Sequence, residues 1–353
     1  MKSYTGLRVI VSAILFSWFA INPAFAAGPF TVVVDGLQGP RGLAFGPNGQ
    51  LYVAQAGAGG NTASGKISEI IFPWQKDPET RDVVMGLISS EDSLGDILGV
   101  AGLTTRDSII YAIMQLSNAG TGFPSLLGDL LRVRPDGQLR KISNVGNFDY
   151  AWTERHLNLA NDFPFADPYA LLALSDRFYV ADAGANTLDL VHQNGTVEIF
   201  AFIPHNTLAD STPTCVTQGP DGALYIGTLA LVDSLAFGPS AKIYRVDPND
   251  AEPRDSDGVF HRAKVWASGL WPINGCAFGP DGSFYGSEFI TNINFTGGDV
   301  VKIPFQHPEI HTPLTGNALT FPAGVAVGPD GNVYVSNNVA FVPQGQVVRL
   351  TNH

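Results

Sequence analysis

Cysteine is nearly absent: among 353 residues only Cys215 and Cys276 occur, so no disulfide framework carries the fold. Charge is sparse too, at 15% of residues, and what there is leans acidic, with 20 Lys and Arg against 32 Asp and Glu. The resulting formal charge of -12 repels phosphate backbones and anionic lipid, which argues against nucleic acid and membrane-surface binding. Long hydrophobic runs are missing except one. VIVSAILFSWFAI, at 9 to 21, follows Lys2 and Arg8 and is too short for the ~20 residues that span a bilayer. With the small-x-small triplet Ala24-Phe25-Ala26 behind it, it reads as an export signal cleaved after Ala26, giving a secreted or periplasmic protein of residues 27–353. No Gly-x-Ser-x-Gly elbow is present, and the seven histidines are scattered. Of these, His307 and His311 are separated by Pro308 and followed by Pro313, which disfavours a helical metal pair.

What the chain has in quantity is glycine, 39 residues, and proline, 24, and they recur in one phrase. PRGLAFGPNGQLYVAQAG (40 to 57) returns as PTCVTQGPDGALYIGT (213 to 228), PINGCAFGPDGSFYGSE (272 to 288) and PAGVAVGPDGNVYVSNN (322 to 338). Each copy is an apolar strand, a Gly-Pro-Asp/Asn-Gly turn and a return strand, that is, a β-hairpin. Two weaker copies, at 98 to 115 and 168 to 184, fill the gaps. The tyrosine of each return strand, Tyr52, Tyr111, Tyr179, Tyr225, Tyr285 and Tyr334, marks a period of about 56 residues. A third strand follows each hairpin (65–70, 129–137, 186–195, 241–248, 298–303 and 345–350), and a fourth is plain at 263–270. These features predict an all-β fold, a six-bladed β-propeller with four-stranded blades in one domain. Strand 30–34 has no blade of its own, and the last third strand, 345–350, has no fourth. The N-terminal strand is therefore expected to close the ring as the outer strand of blade six.

In such a ring the Gly-Pro-Asp-Gly turns occupy one face and longer loops the other. The insertion at 144 to 167 is expected to lie over the loop face as a partial lid. Its Phe148, Tyr150 and Trp152 read either as a ligand-stacking cluster or as packing. Polar residues recur where second strands leave the sheet: Gln55, Gln115, Asp182, Thr228, Glu288, Asn337 and Asn338. Asp167, Asn274 and Arg41, from the loops entering first strands, are expected to point at the same channel mouth. Carboxylates at Asp182, Glu288 and Asp167 with amide oxygens at Asn274 and Asn337 make a hard-cation set suited to Ca²⁺. The competing reading is that these side chains cap strand ends and bond loop backbone. Asp255-Ser256-Asp257-Gly258 lacks the liganding glutamate of a calcium loop and reads as a solvated turn. Cys215 and Cys276 lie in first strands of neighbouring repeats but one alignment position apart. That offset turns them to opposite sheet faces, so two buried thiols are expected rather than a bridge.

The phrases PRGLAFGPNGQLYVAQAGAGGN (40 to 61), DPYALLALSDRFYVADAGANTL (167 to 188), PDGALYIGTL (220 to 229), FGPDGSFYGSEF (278 to 289) and PAGVAVGPDGNVYVSNN (322 to 338) resemble the ScyD/ScyE family over essentially the whole mature chain. VADAG and the terminal VSNN carry the likeness beyond the Gly-Pro-Asp-Gly hairpins shared with NHL-repeat and lactonase-like propellers. Gln55 and Thr228 stand where the family often carries glutamate, and Asp167-Pro168-Tyr169 replaces a more usual Asn-Pro-Tyr. With two carboxylates missing from the ring, the chain reads as an exported, monomeric binding or scaffold propeller taking a small molecule or protein on its loop-rich face, and the resemblance implies a place in secondary-metabolite maturation. The more distant lactonase-like propellers imply an alternative, a Ca²⁺-dependent hydrolase of lactones or esters, with the metal on Glu288, Asn274 and Asp182.

Overall fold

The computed structural model describes residues 29–350, apart from 93–94, 120–125, 135, 158, 160–162, 251–261 and 342–343. The expected signal segment and the Asp255 to Gly258 turn lie outside the described residues. Six antiparallel sheets follow one another along the chain as the blades of a propeller. Blade 3 shows the plan: Pro168–Ala173 innermost, then Arg177–Asp182, Thr187–His192 and Val197–Phe202, each paired to the one before. Blade 1 carries an additional two-residue strand, Ile97–Leu98, on the outer strand Glu79–Glu91. The ring closes as its ends predict: Phe30–Leu37 pairs antiparallel with Gly345–Leu350 in blade 6.

The recurring phrase owes its form to a small hydrogen-bonded unit. In blades 4, 5 and 6 the turn aspartates Asp221, Asp281 and Asp330 accept the N–H two residues on, from Ala223, Ser283 and Asn332. Each also accepts the hydroxyl of the buried tyrosine four residues on, Tyr225, Tyr285 and Tyr334. Asp281 shows the electrostatic result. Burial pushes its carboxyl up, but the Ser283 N–H and Lys302 outweigh it and bring it down to about 2. Thus the turn tolerates an aspartate beside buried aromatic rings because both of its oxygens are hydrogen-bonded.

The core is divided between blades rather than gathered at one centre. Tyr179, Leu190, Phe200, Val216 and Ile226, for example, form one cluster between blades 3 and 4. At Gly324 and Gly275 the inner strands crowd so closely that a side chain is excluded. A Cβ on Gly324 would stand 2.3 Å from the Arg41 carbonyl oxygen, and one on Gly275 2.3 Å from that of Ala323. Backbone cannot yield as a flexible side chain does. Gly324→Ala is accordingly expected to cost about 1–3 kcal/mol, read from the urea midpoint at unchanged slope.

Cys215 and Cys276 form a disulfide, with Cα atoms 5.7 Å apart, contrary to the expectation of two free thiols. The alternation argument holds within one sheet, whereas these residues belong to blades 4 and 5. Adjacent blades pack the front face of one sheet against the back face of the next. Side chains pointing to opposite sheet faces are therefore the ones that meet.

Candidate functional site at the channel mouth

Second strands end on polar residues because the loop entering each blade needs its N–H groups satisfied. Gln55 accepts from the Gln38 N–H, Asp182 from Asp167, Glu288 from Trp271 and Asn337 from Thr320, each at 2.8 to 3.0 Å. Asp182 Oδ1 also takes the Gly184 and Ala185 N–H groups, both at 2.8 Å. Gln115 bridges the Gly99 N–H to Asp167 Oδ1, and Thr228 closes on Lys242 of its own blade. The recurrence in sequence thus reflects a recurring backbone requirement.

Inside this ring three other residues meet across the axis. Arg41 of blade 1 is buried and donates to Asp96 Oδ1 at 2.7 Å, to the Ile97 carbonyl at 2.6 Å and to the Tyr169 hydroxyl at 3.3 Å. Tyr169 of blade 3 donates to Asn274 Oδ1 of blade 5 at 2.9 Å, and Asn274 Nδ2 donates to the Pro322 carbonyl. Three alternate blades are therefore tied by one chain of hydrogen bonds. Burial works to lower the Arg41 pKa, but Asp96 and Tyr169 raise it further, so the guanidinium is a permanent cation. The cavity along the axis is lined by inner strands of all six blades, among them Gly42, Gly102, Thr214 and Val325. Its volume of about 70 Å³ is room for roughly two waters and no substrate.

The expected calcium ligands each hold a hydrogen-bond partner in the protein, while Asp182 Oδ2 is left without one among the described residues. Asp182 spends one oxygen on three N–H groups, Glu288 holds the Trp271 N–H, and the Asn274 carbonyl oxygen is occupied by Tyr169. Among the described residues no group of three His, Cys, Asp or Glu side chains is placed to hold a metal ion. Two carboxyls are nonetheless displaced in acidity. Burial pushes Glu288 up to about 7, against the Trp271 N–H and with Asp299 adding to the rise. Burial and then the Asp182 charge push Asp167 up to about 7 as well.

The first half of the insertion is helical. Asn144 accepts the Asn147 N–H and caps helix α1, Val145–Arg155. Its Trp152 and Phe148 pack on Ala185, Ile199 and Phe202 of blade 3, and Trp152 stacks on His156 at 4.6 Å. For Trp152 and Phe148, packing is what the side chains do. The helix also carries a residue that sequence reasoning missed. Asp149 is fully buried, and its carboxyl lies within hydrogen-bond reach of both Asp182 and Asp189, themselves fully buried. No N–H or O–H of the described protein reaches either Asp149 oxygen. Burial and the facing carboxylates push Asp149 well above the usual carboxyl range. Burial and the charge of Asp182 do the same to Asp189.

The loop face of blades 4 to 6 is apolar. Helix α2, Leu231–Phe237, and the loops after Glu288 and Asn337 surround the contacting rings of Phe289, Phe295, Phe321 and Phe341. Here Phe237 is 63% exposed, Ile293 61%, Val232 52% and Phe341 42%.

No family model and no curated protein matches this chain. Solved structures do resemble it across most of its length. Regucalcin, a calcium-binding protein of Agrobacterium tumefaciens, is 13% identical over 92% of this chain and 93% of its own, with a TM-score of 0.57. A gluconolactonase of Xanthomonas campestris is 11% identical over 91% and 89%, with a TM-score of 0.57. The PQQ-bound aldose sugar dehydrogenase of Streptomyces coelicolor is 14% identical over 90% and 96%, with a TM-score of 0.54. At these identities the likeness establishes a shared propeller fold with lactonase-like and sugar dehydrogenase proteins, and chemistry has to be argued from the site itself.

Proposed function

We propose that this protein is an exported, monomeric propeller of the ScyD/ScyE type. It acts as a non-catalytic binding or scaffold module that takes a small molecule or a partner protein on its loop face, in secondary-metabolite maturation. The observation that carries this reading is the apolar surface of Val232, Phe237, Ile293 and Phe341, set beside a channel mouth in which Arg41, Tyr169 and Asn274 are bonded in one chain. Exposed apolar side chains gathered on one loop cluster favour a binding role, since a solvated surface gains nothing from them. The Cys215–Cys276 bridge supports export, because such bonds persist in oxidising compartments.

The second reading is a Ca²⁺-dependent hydrolase of lactones or esters. What favours it is the near-neutral carboxyl of Glu288, the acidity a general acid or base needs. Calcium titration into chelator-stripped protein separates the two. Under the binding reading no saturable site appears up to millimolar Ca²⁺, and Glu288→Gln behaves as the wild type. A single saturable site that Glu288→Gln abolishes would overturn it in favour of the hydrolase.

A further inference from the structure

Blade 2 departs from the charge of the rest of the chain. Between Val100 and Asn144 it carries five bases, Arg106, Arg132, Arg134, Arg140 and Lys141, against three acids, Asp107, Asp129 and Asp136, a surplus of two in a chain of formal charge -12. Val133 and Leu139, where its third strand, Asp129–Val133, ends and its fourth, Leu139–Asn144, begins, lie on the face opposite the apolar loops. There Arg132, Arg134 and Arg140, with Asp136, line a concave pocket of about 410 Å³.

The register makes this arrangement costly without an occupant. Arg132 and Arg140 stand directly opposite each other in the antiparallel ladder, and like charges so placed repel. Arg134, two residues on from Arg132, shares that face of the sheet. Among the described residues none of the three is paired with a carboxylate. Arg134 reaches Gln138 Oε1, and Asp136 is held by the Gln138 N–H. The remaining bases of the blade are engaged elsewhere. Lys141 turns to the other sheet face and meets Asp129, while Arg106 lies over the Tyr111 and Phe178 rings and donates to the Leu174 carbonyl.

We propose that this pocket binds a small molecule bearing a tetrahedral oxyanion, a phosphate or sulfate ester, with Arg132 and Arg140 gripping the group from opposing strands. Guanidinium forks match such oxygens in pairs, and one anionic group between two opposed arginines turns a repulsion into two attractions. The pocket is open on its solvent side, so the group's organic portion has room there. A protein this acidic does not attract anions in general, so capture must come from the local cluster.

The test is calorimetric titration at low salt with glucose 6-phosphate, glucose 6-sulfate and glucose, in wild type and in Arg140→Gln. Saturable binding of either ester but not of glucose is expected, with affinity falling about tenfold or more in Arg140→Gln and declining as salt rises. The tighter ester identifies the source of the oxyanion. Because Arg140 is exposed, its replacement leaves the fold intact, and the ligand-free melting temperature should hold or rise as the repulsion is relieved. Failure of both esters to bind at millimolar concentration, or equal binding by the wild type and Arg140→Gln, overturns the proposal.

Discussion

Asp149→Asn should raise the melting temperature at pH 7.5 and leave it nearly unchanged at pH 4.5. The reason lies in the direction of the shifts. Asp149 and Asp189 have folded-state pKa values well above those of the unfolded chain, so folding takes up protons. The stabilisation they confer is complete below the unfolded value of about 4 and is lost progressively as pH rises through the raised folded values. Glu288 adds to the same slope up to about 7, worth on the order of 3 kcal/mol across its window. Asparagine keeps the shape of Asp149 and supplies two N–H donors to the facing carboxylates without requiring a proton. The gain at pH 7.5 should be about 1–3 kcal/mol, read from melting curves across pH. A wild-type stability that climbs between pH 5 and 8, or a variant less stable than wild type at pH 7.5, would show that the three carboxyls are not sharing protons.

Removing the disulfide should be as damaging as any single change in the molecule. Cys215 and Cys276 are 61 residues apart in sequence, and freeing a loop of that length returns entropy to the unfolded chain equivalent to about 4 kcal/mol. The double variant Cys215→Ala/Cys276→Ala should lose that amount in urea unfolding at 25 °C, and reduction of the wild type should give a similar loss. Free-thiol titration of the unfolded protein checks the premise directly. Two reactive thiols without reductant would restore the reading of separate cysteines.

Much of the fold was legible because a propeller is local along the chain. Each Gly-Pro-Asp-Gly turn is closed by residues within four positions, such as Asp330 with Asn332 and Tyr334. Every strand but the first pairs with a sequence neighbour, so periodicity carries the architecture, and the unmatched strand 30–34 announced the closure. The channel mouth was legible only in part. Gln55, Asp182, Glu288 and Asn337 stand at equivalent positions, as their spacing indicated, but position does not say what an oxygen accepts. Arg41 and Asn274 do converge, joined by Tyr169, which lay unrecognised in the Asp-Pro-Tyr phrase.

The sequence by itself determined the number of blades, the form of their turns and the ring closure, because each depends on contacts between residues near in sequence or on strand order. Tertiary structure alone decided the rest. Asp149 meets Asp182 and Asp189 only once α1 docks on blade 3, and Cys215 meets Cys276 only because neighbouring sheets stack front to back. Arg41, Tyr169 and Asn274 stand up to 233 residues apart, from 41 to 274, and no local pattern encodes a contact made by three blades turning toward one axis.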